Sequence, residues 1–278
     1  MNPLEMDPSE YSGLYALEES MWWFVGMRRL VDDLLRGLHQ PEMRCLDAGC
    51  GAGYNALHLA QRYLWQVFAC DYSSDALKFS AHRGVPRLCA ADVACLPYAD
   101  ASFDCVTCFD VLVMFGPERI GGALAEFRRV LRPEGLLVTR VAAMEWLRGR
   151  HSELNAEARR YTLPELCGHL EQAGFTVERA TYANALLTPL AFLKRRVLEP
   201  LRLMQPGSDV RPVAPWLDRS LLAAMALEQK MLRMGWKPPV GSSTIVLSRK
   251  NGNYGKNGNN GTYNSHNSHD SHSSHNSL

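Results

Sequence analysis

The stretch "CLDAGCGAGYNALHLA", residues 45–60, decides the reading of this chain. Its first residues are a short apolar run, and its last ten have helical spacing. Between them stand Gly49, Gly51 and Gly53. Such a strand-to-helix junction offers the unpaired N–H groups and positive dipole end of a helix N-terminus. Glycines there let a ligand lie against bare backbone. A pyrophosphate-binding G-x-G-x-x-G loop needs a last glycine where this chain has Tyr54. Asp47, two residues ahead of Gly49, would repel a pyrophosphate and suits a ligand that carries an ammonium group.

Outward from this loop, strands and helices alternate. "QVFACD" reads as a strand, "SSDALKFSAHRG" as a capped helix, "RLCAADV" and "FDCVTCFDVLVMF" as strands. "PERIGGALAEFRRVLRPEG" reads as a helix with Pro117 near its start, "LLVTRVA" as a strand, "TLPELCGHLEQAG" as a Thr-capped helix and "FTVERATYA" as a strand. "STIVLSRK" is a last strand. The fold class is therefore α/β, with a Rossmann-like, seven-stranded, mostly parallel sheet and helices on both faces. Residues 1–40 predict a helical segment over the site, a lid in which Trp22, Trp23 and Phe24 pack either over the ligand or as core. The ligand-binding α/β core spans 41–184, a helical insertion 185–240, and the last core strand 241–250. Residues 251–278, rich in Asn, Ser and His, lack the apolar content to fold and read as a disordered tail.

"LDAGCGAG" resembles motif I of the class I S-adenosylmethionine-dependent methyltransferases. The resemblance implies S-adenosyl-L-methionine as cofactor, held by Asp47, Gly49, Gly51 and Gly53. It also implies roles at the next strand ends. Asp71 would accept hydrogen bonds from the ribose hydroxyls, and Asp92 would meet the adenine amino group with the Val93 backbone near the ring. Asp110 would stand beside the methionine end. One aspartate at a strand end is usually a turn residue; four at successive strand ends of one αβ pattern fit the family better. "LPYADASFDCV" also suits it, with Tyr98 where phenylalanine is common. "MWWFVGMRRLV", "RRYTLPELCGHLEQAGFTVE" and "SDVRPVAPWLDRSLLAAMALEQKML" resemble a bacterial subgroup of the methyltransferase type 11 kind, met near glycan and lipid pathways. The implied activity is methyl transfer to a small molecule, glycan or lipid-linked intermediate. The alternatives are a non-catalytic cofactor-binding scaffold and a nicotinamide-dependent oxidoreductase.

Thirty basic and 29 acidic residues give a formal charge of +1, without the basic excess of a duplex-binding protein. No "NPPY"-type tetrapeptide follows the fourth strand, so nucleic acid is not expected as a partner. The acidic start lacks a signal-peptide core, and the longest apolar run, near 180–193, is too short to span a bilayer, so a cytoplasmic protein is expected. The eight cysteines read as buried free thiols. Cys105 and Cys108 have CxxC spacing but would point to opposite faces of a strand, and no metal site is expected. The insertion reads as an acceptor pocket or as sheet-edge core, with a membrane surface the less favoured reading. No catalytic residue is assigned. His151, after the fifth strand, reads more readily as a solvent-facing loop histidine than as a base, and His58 as packed or exposed.

Overall fold

In the computed structural model, residues 6–116, 118–199, 201 and 209–252 are described. The strands are β1 (Arg44–Ala48), β2 (Gln66–Asp71), β3 (Leu88–Ala90), β4 (Phe103–Phe109), β5 (Leu131–Ala142), β6 (Phe175–Ala183) and β7 (Ser243–Lys250). They form one sheet in the order β3-β2-β1-β4-β5-β7-β6. The pairs among β1 to β5 are parallel, and β7 runs antiparallel to both β5 and β6. The Rossmann-like, mostly parallel sheet is present as expected.

Both faces of this sheet are covered, which is why its central strands read as continuous apolar runs. On one face Leu46, Val106, Cys108 and Leu137 pack against α5 (Ile120–Val130), whose Ile120, Ala123, Leu124, Phe127 and Val130 make a buried stripe at helical spacing. On the other face Cys45, Val67, Cys105 and Val138 pack against α2 (Trp22–Leu34) and α3 (Tyr54–Tyr63). Cys105 and Cys108 thus lie in cores on opposite sides of the sheet, and both are free thiols. Local signals set the helix ends. Ser73 caps α4 (Ser74–His82), and Thr162 with Glu165 forms a capping box on α7 (Leu163–Gln172).

The N-terminal segment is helical with one interruption. It is two helices, α1 (Pro8–Leu17) and α2, separated at residues 18–21. Glu18 turns inward at the break, and Met21 takes an extended backbone as the N-cap of α2. After β6 come α8 (Thr188–Leu193), a π-helical turn (Lys194–Leu198) and, further on, α9 (Pro215–Arg233). α9 lies against α2: the Asp218 carboxylate accepts the Trp22 N–H at 3.0 Å, and Arg233 forms an ion pair with Asp33 at 2.7 Å. A Cβ on Gly26 would come within 2.3 Å of the Met225 sulfur, so the two helices meet where α2 has no side chain. The helix α6 (Arg150–Leu154) follows β5. The expected disordered tail, with His266, His269, His272 and His275, lies outside the described residues from position 253 onward, as does Pro117.

Candidate active site

The strand order places β3, β2, β1 and β4 side by side and parallel, so their carboxyl ends share one edge. Asp92, Asp71, Asp47 and Asp110 are gathered there from four separate stretches of sequence. Asp71 ends β2 and braces the glycine loop. Its Oδ2 accepts the Gly51 N–H at 2.9 Å, and its Oδ1 accepts the Ser73 N–H at 2.9 Å.

A cavity of about 520 Å³ opens on this edge. Six of the eight sequence-predicted residues line it: Gly49, Gly51, Asp71, Asp92, Val93 and Asp110. Asp47 and Gly53 stand outside the lining. Gly51 has φ +56°, and a Cβ there would meet nothing within 4 Å among the described residues, so its bare face looks into open space. Gly53 serves packing instead. At φ +88° it begins α3, and a Cβ would lie 2.6 Å from Ser80 Oγ. The glycine pattern therefore answers to two demands, close approach within the protein at Gly53 and an open face at Gly51.

Asp47 is 1% exposed. Its Oδ1 accepts the Thr107 hydroxyl at 2.8 Å, while its Oδ2 has no hydrogen-bond partner among the described residues. Burial pushes the Asp47 carboxyl up to about 6, against the pull of the Thr107 hydrogen bond. Asp92 keeps a turn role as well, since its Oδ1 accepts the Ala94 N–H at 2.8 Å.

A methyltransferase-domain family model matches residues 46–139, the stretch from the glycine loop through β5. A malonyl-[acyl-carrier protein] O-methyltransferase of Halorhodospira halophila is 29% identical over 78% of this chain and 76% of its own length. Residues 46–139 therefore carry a methyltransferase domain. The mitochondrial arginine-hydroxylase NDUFAF5 of Danio rerio is 31% identical over 51% of this chain and 41% of its own. A demethylmenaquinone methyltransferase of Mycolicibacterium vanbaalenii is 31% identical over 49% of this chain and 61% of its own. The chain thus spans three quarters of the first relative and less than two thirds of the other two.

In this methyltransferase the cavity extends well past the strand ends. Its wall continues over Tyr11, Met21, Trp22, Phe24, Leu187, Leu190, Leu217 and Leu221, from α1, α8, α9, α2 and the N-caps of α2 and α8. The sequence reading missed Arg140. It lines the cavity, is buried on β5, forms an ion pair with Asp110 at 2.6 Å and lies 4.8 Å from the Trp23 ring centroid. The available signal was a lone arginine inside the apolar run "LLVTRVA", because a charge in a buried strand needs a partner.

His151 departs from its reading as a solvent-facing loop residue. It lies in α6, is half-buried and lines the cavity. Its Nδ1 accepts the Asp209 N–H at 3.2 Å and lies 3.0 Å from Asn155 Nδ2. Burial pushes the His151 pKa below its usual range, with Asp209 opposing. His58 is paired with Asp32 at 3.1 Å, away from this cavity.

Proposed function

We propose that this enzyme transfers a methyl group from S-adenosylmethionine to an acceptor with a large apolar part, either a small molecule or a lipid-linked intermediate. One observation carries the reading. A single cavity has glycines and acids at the sheet edge and a long apolar wall beyond them.

The residues fit the donor. Asp71, held by two backbone N–H groups, lines the cavity with a carboxylate that would accept from ribose hydroxyls. Val93 and Asp92 would hold the adenine, and the open face of Gly51 would take the chain between the two ends. Behind the loop, the buried Oδ2 of Asp47 has no hydrogen-bond partner among the described residues, which favours a positive group in front of it. Arg140, beside Asp110, offers a cation to the donor's carboxylate. Bound there, S-adenosylmethionine supplies a methyl group on a sulfonium, a leaving group that needs no covalent help from the protein. The protein's share is to align the acceptor and exclude water, and positioning supplies much of the rate. The N-terminal helices and the 185–240 segment, which build the apolar wall, would do this as lid and acceptor pocket.

Calorimetric titration of S-adenosylhomocysteine tests the donor site. Wild type should bind, and Asp71→Ala should bind at least tenfold more weakly. Absence of binding by folded wild type would defeat the reading and move weight to the scaffold or oxidoreductase alternatives, with NADH titrated next.

A further inference from the structure

The helix α8 faces two ways. Leu187, Leu190 and Ala191 line the cavity, yet Leu190 is also 52% exposed, which places it at the rim. Phe192 and Leu193 lie outside the cavity wall and are each 44% exposed. Trp146, 38% exposed, meets Phe192 edge-on at 5.6 Å between centroids. An indole, a phenyl ring and two leucines therefore share one open surface beside the cavity. Exposed apolar side chains gathered beside a cavity are candidates for an interaction site.

Charge decides what covers it. Residues 186–199 carry Lys194, Arg195 and Arg196 against one carboxylate, Glu199. Lys194 and Arg195 are tied to Asp209. Arg196 is exposed, donates to the Trp146 carbonyl at 2.6 Å and has no carboxylate partner among the described residues. Leucine and aromatic side chains beside unpaired arginine suit the boundary of an anionic bilayer, where rings and alkyl groups sink and guanidinium groups meet headgroups. A symmetric contact between two copies would instead set this carboxylate-poor face against itself. Among the described residues no helix is long and apolar enough to cross a membrane, so the contact would be in the plane of the surface.

We infer that the face built by Trp146, Leu190, Phe192, Leu193 and Arg196 docks on an anionic lipid bilayer, with the rim at Leu190 as the passage by which an apolar acceptor enters the cavity. The passage rests on the methyl-transfer reading; the docking does not.

Co-sedimentation of the full chain with phosphatidylcholine–phosphatidylglycerol vesicles, and with phosphatidylcholine alone, tests it. Wild type should pellet with the anionic vesicles and at least fivefold less with the neutral ones. The double variant Phe192→Glu/Leu193→Glu should pellet at least fivefold less than wild type on anionic vesicles, and Arg196→Glu at least threefold less. Titration with S-adenosylhomocysteine runs on every variant, and unchanged affinity shows an intact core. If the double glutamate variant fails to fold, Phe192→Ser/Leu193→Ser replaces it. Wild type left in the supernatant, or variants that pellet like wild type, would overturn the docking. So would a wild-type dimer that the double variant dissociates while neither pellets, because the occupant would then be a second copy. Failure of wild type to bind S-adenosylhomocysteine would strike the methyl-transfer reading and leave the pelleting result standing.

Discussion

The Glu18 carboxylate lies 3.4 Å from the amide nitrogen of Tyr54, the first residue of the helix that follows the glycine loop. Glu18 comes from the break between α1 and α2, so the N-terminal segment touches the loop directly. Arg83 closes the other side. Its Nη2 is 3.5 Å from Glu18 Oε2, its Nε donates to the Ala52 carbonyl, and its Nη2 donates to the Tyr15 carbonyl. Burial pushes the Glu18 carboxyl up to about 7, with Arg83 pulling it down.

The burial of Glu18 sets a pH dependence. The folded pKa is raised above the ordinary value of 4.5, so the folded state holds the proton more tightly than the unfolded chain. The stabilisation is full below about 4.5 and is lost as pH rises through about 7. Asp47, raised to about 6, acts in the same direction. Glu18→Gln should therefore gain about 2 kcal/mol over wild type between pH 5 and pH 8. Denaturant unfolding of both proteins at the two pH values measures this; parallel curves would refute it.

The glycine loop separates stability from binding. Gly53→Ala places a methyl against Ser80 Oγ and Val85 at φ +88° and should cost about 2–4 kcal/mol of stability. Gly51→Ala, at φ +56° with open space around the new methyl, should cost only about 1 kcal/mol. Its main effect should be at least tenfold weaker S-adenosylhomocysteine binding. Urea unfolding and calorimetry on the same two variants show whether the roles divide this way.

Asp110 holds Arg140 through two hydrogen bonds to one carboxylate oxygen, at 2.9 and 2.6 Å. Asp110 has φ +60°, a conformation that asparagine tolerates, so Asp110→Asn removes charge without new backbone strain. Arg140 is then left buried and uncompensated. A loss of about 2 kcal/mol is expected, below the range for fully buried pairs because Asp110 is about one-third exposed. A denaturation midpoint equal to wild type would show that the pair contributes nothing net.

His151 should act as a hydrogen-bond donor rather than a base. Its Nδ1 is an acceptor for the Asp209 N–H, so the neutral ring carries its proton on Nε2. Burial keeps that ring neutral below the usual histidine range. Nitrogen-15 NMR of the imidazole should show the Nε2–H tautomer and a pKa below that of a free imidazole. An unshifted or raised pKa, or an Nδ1–H tautomer, would reverse the assignment.

Much of this was legible in the sequence because it is local. The glycine loop, the Ser73 and Thr162 caps and the apolar period of α5 each depend on residues within a few positions. The acids at the strand ends were picked out by the family resemblance of the sequence, and the parallel strands bring them to one edge. What was misread depended on distant partners. His151 sits in a polar corner because Asp209, 58 residues on, closes over it. Glu18 is buried because Tyr54 and Arg83 meet it from other elements.

By itself the sequence determined the alternating fold and the loop with its flanking acids, since hydrophobic period and glycine placement act over short spans. Only the tertiary structure decided that Gly53 answers to Ser80 and Gly51 to the cavity, that Arg140 belongs beside Asp110, and that Phe192 and Leu193 stay exposed. Burial and charge pairing are properties of surroundings, and these are assembled from residues far apart along the chain.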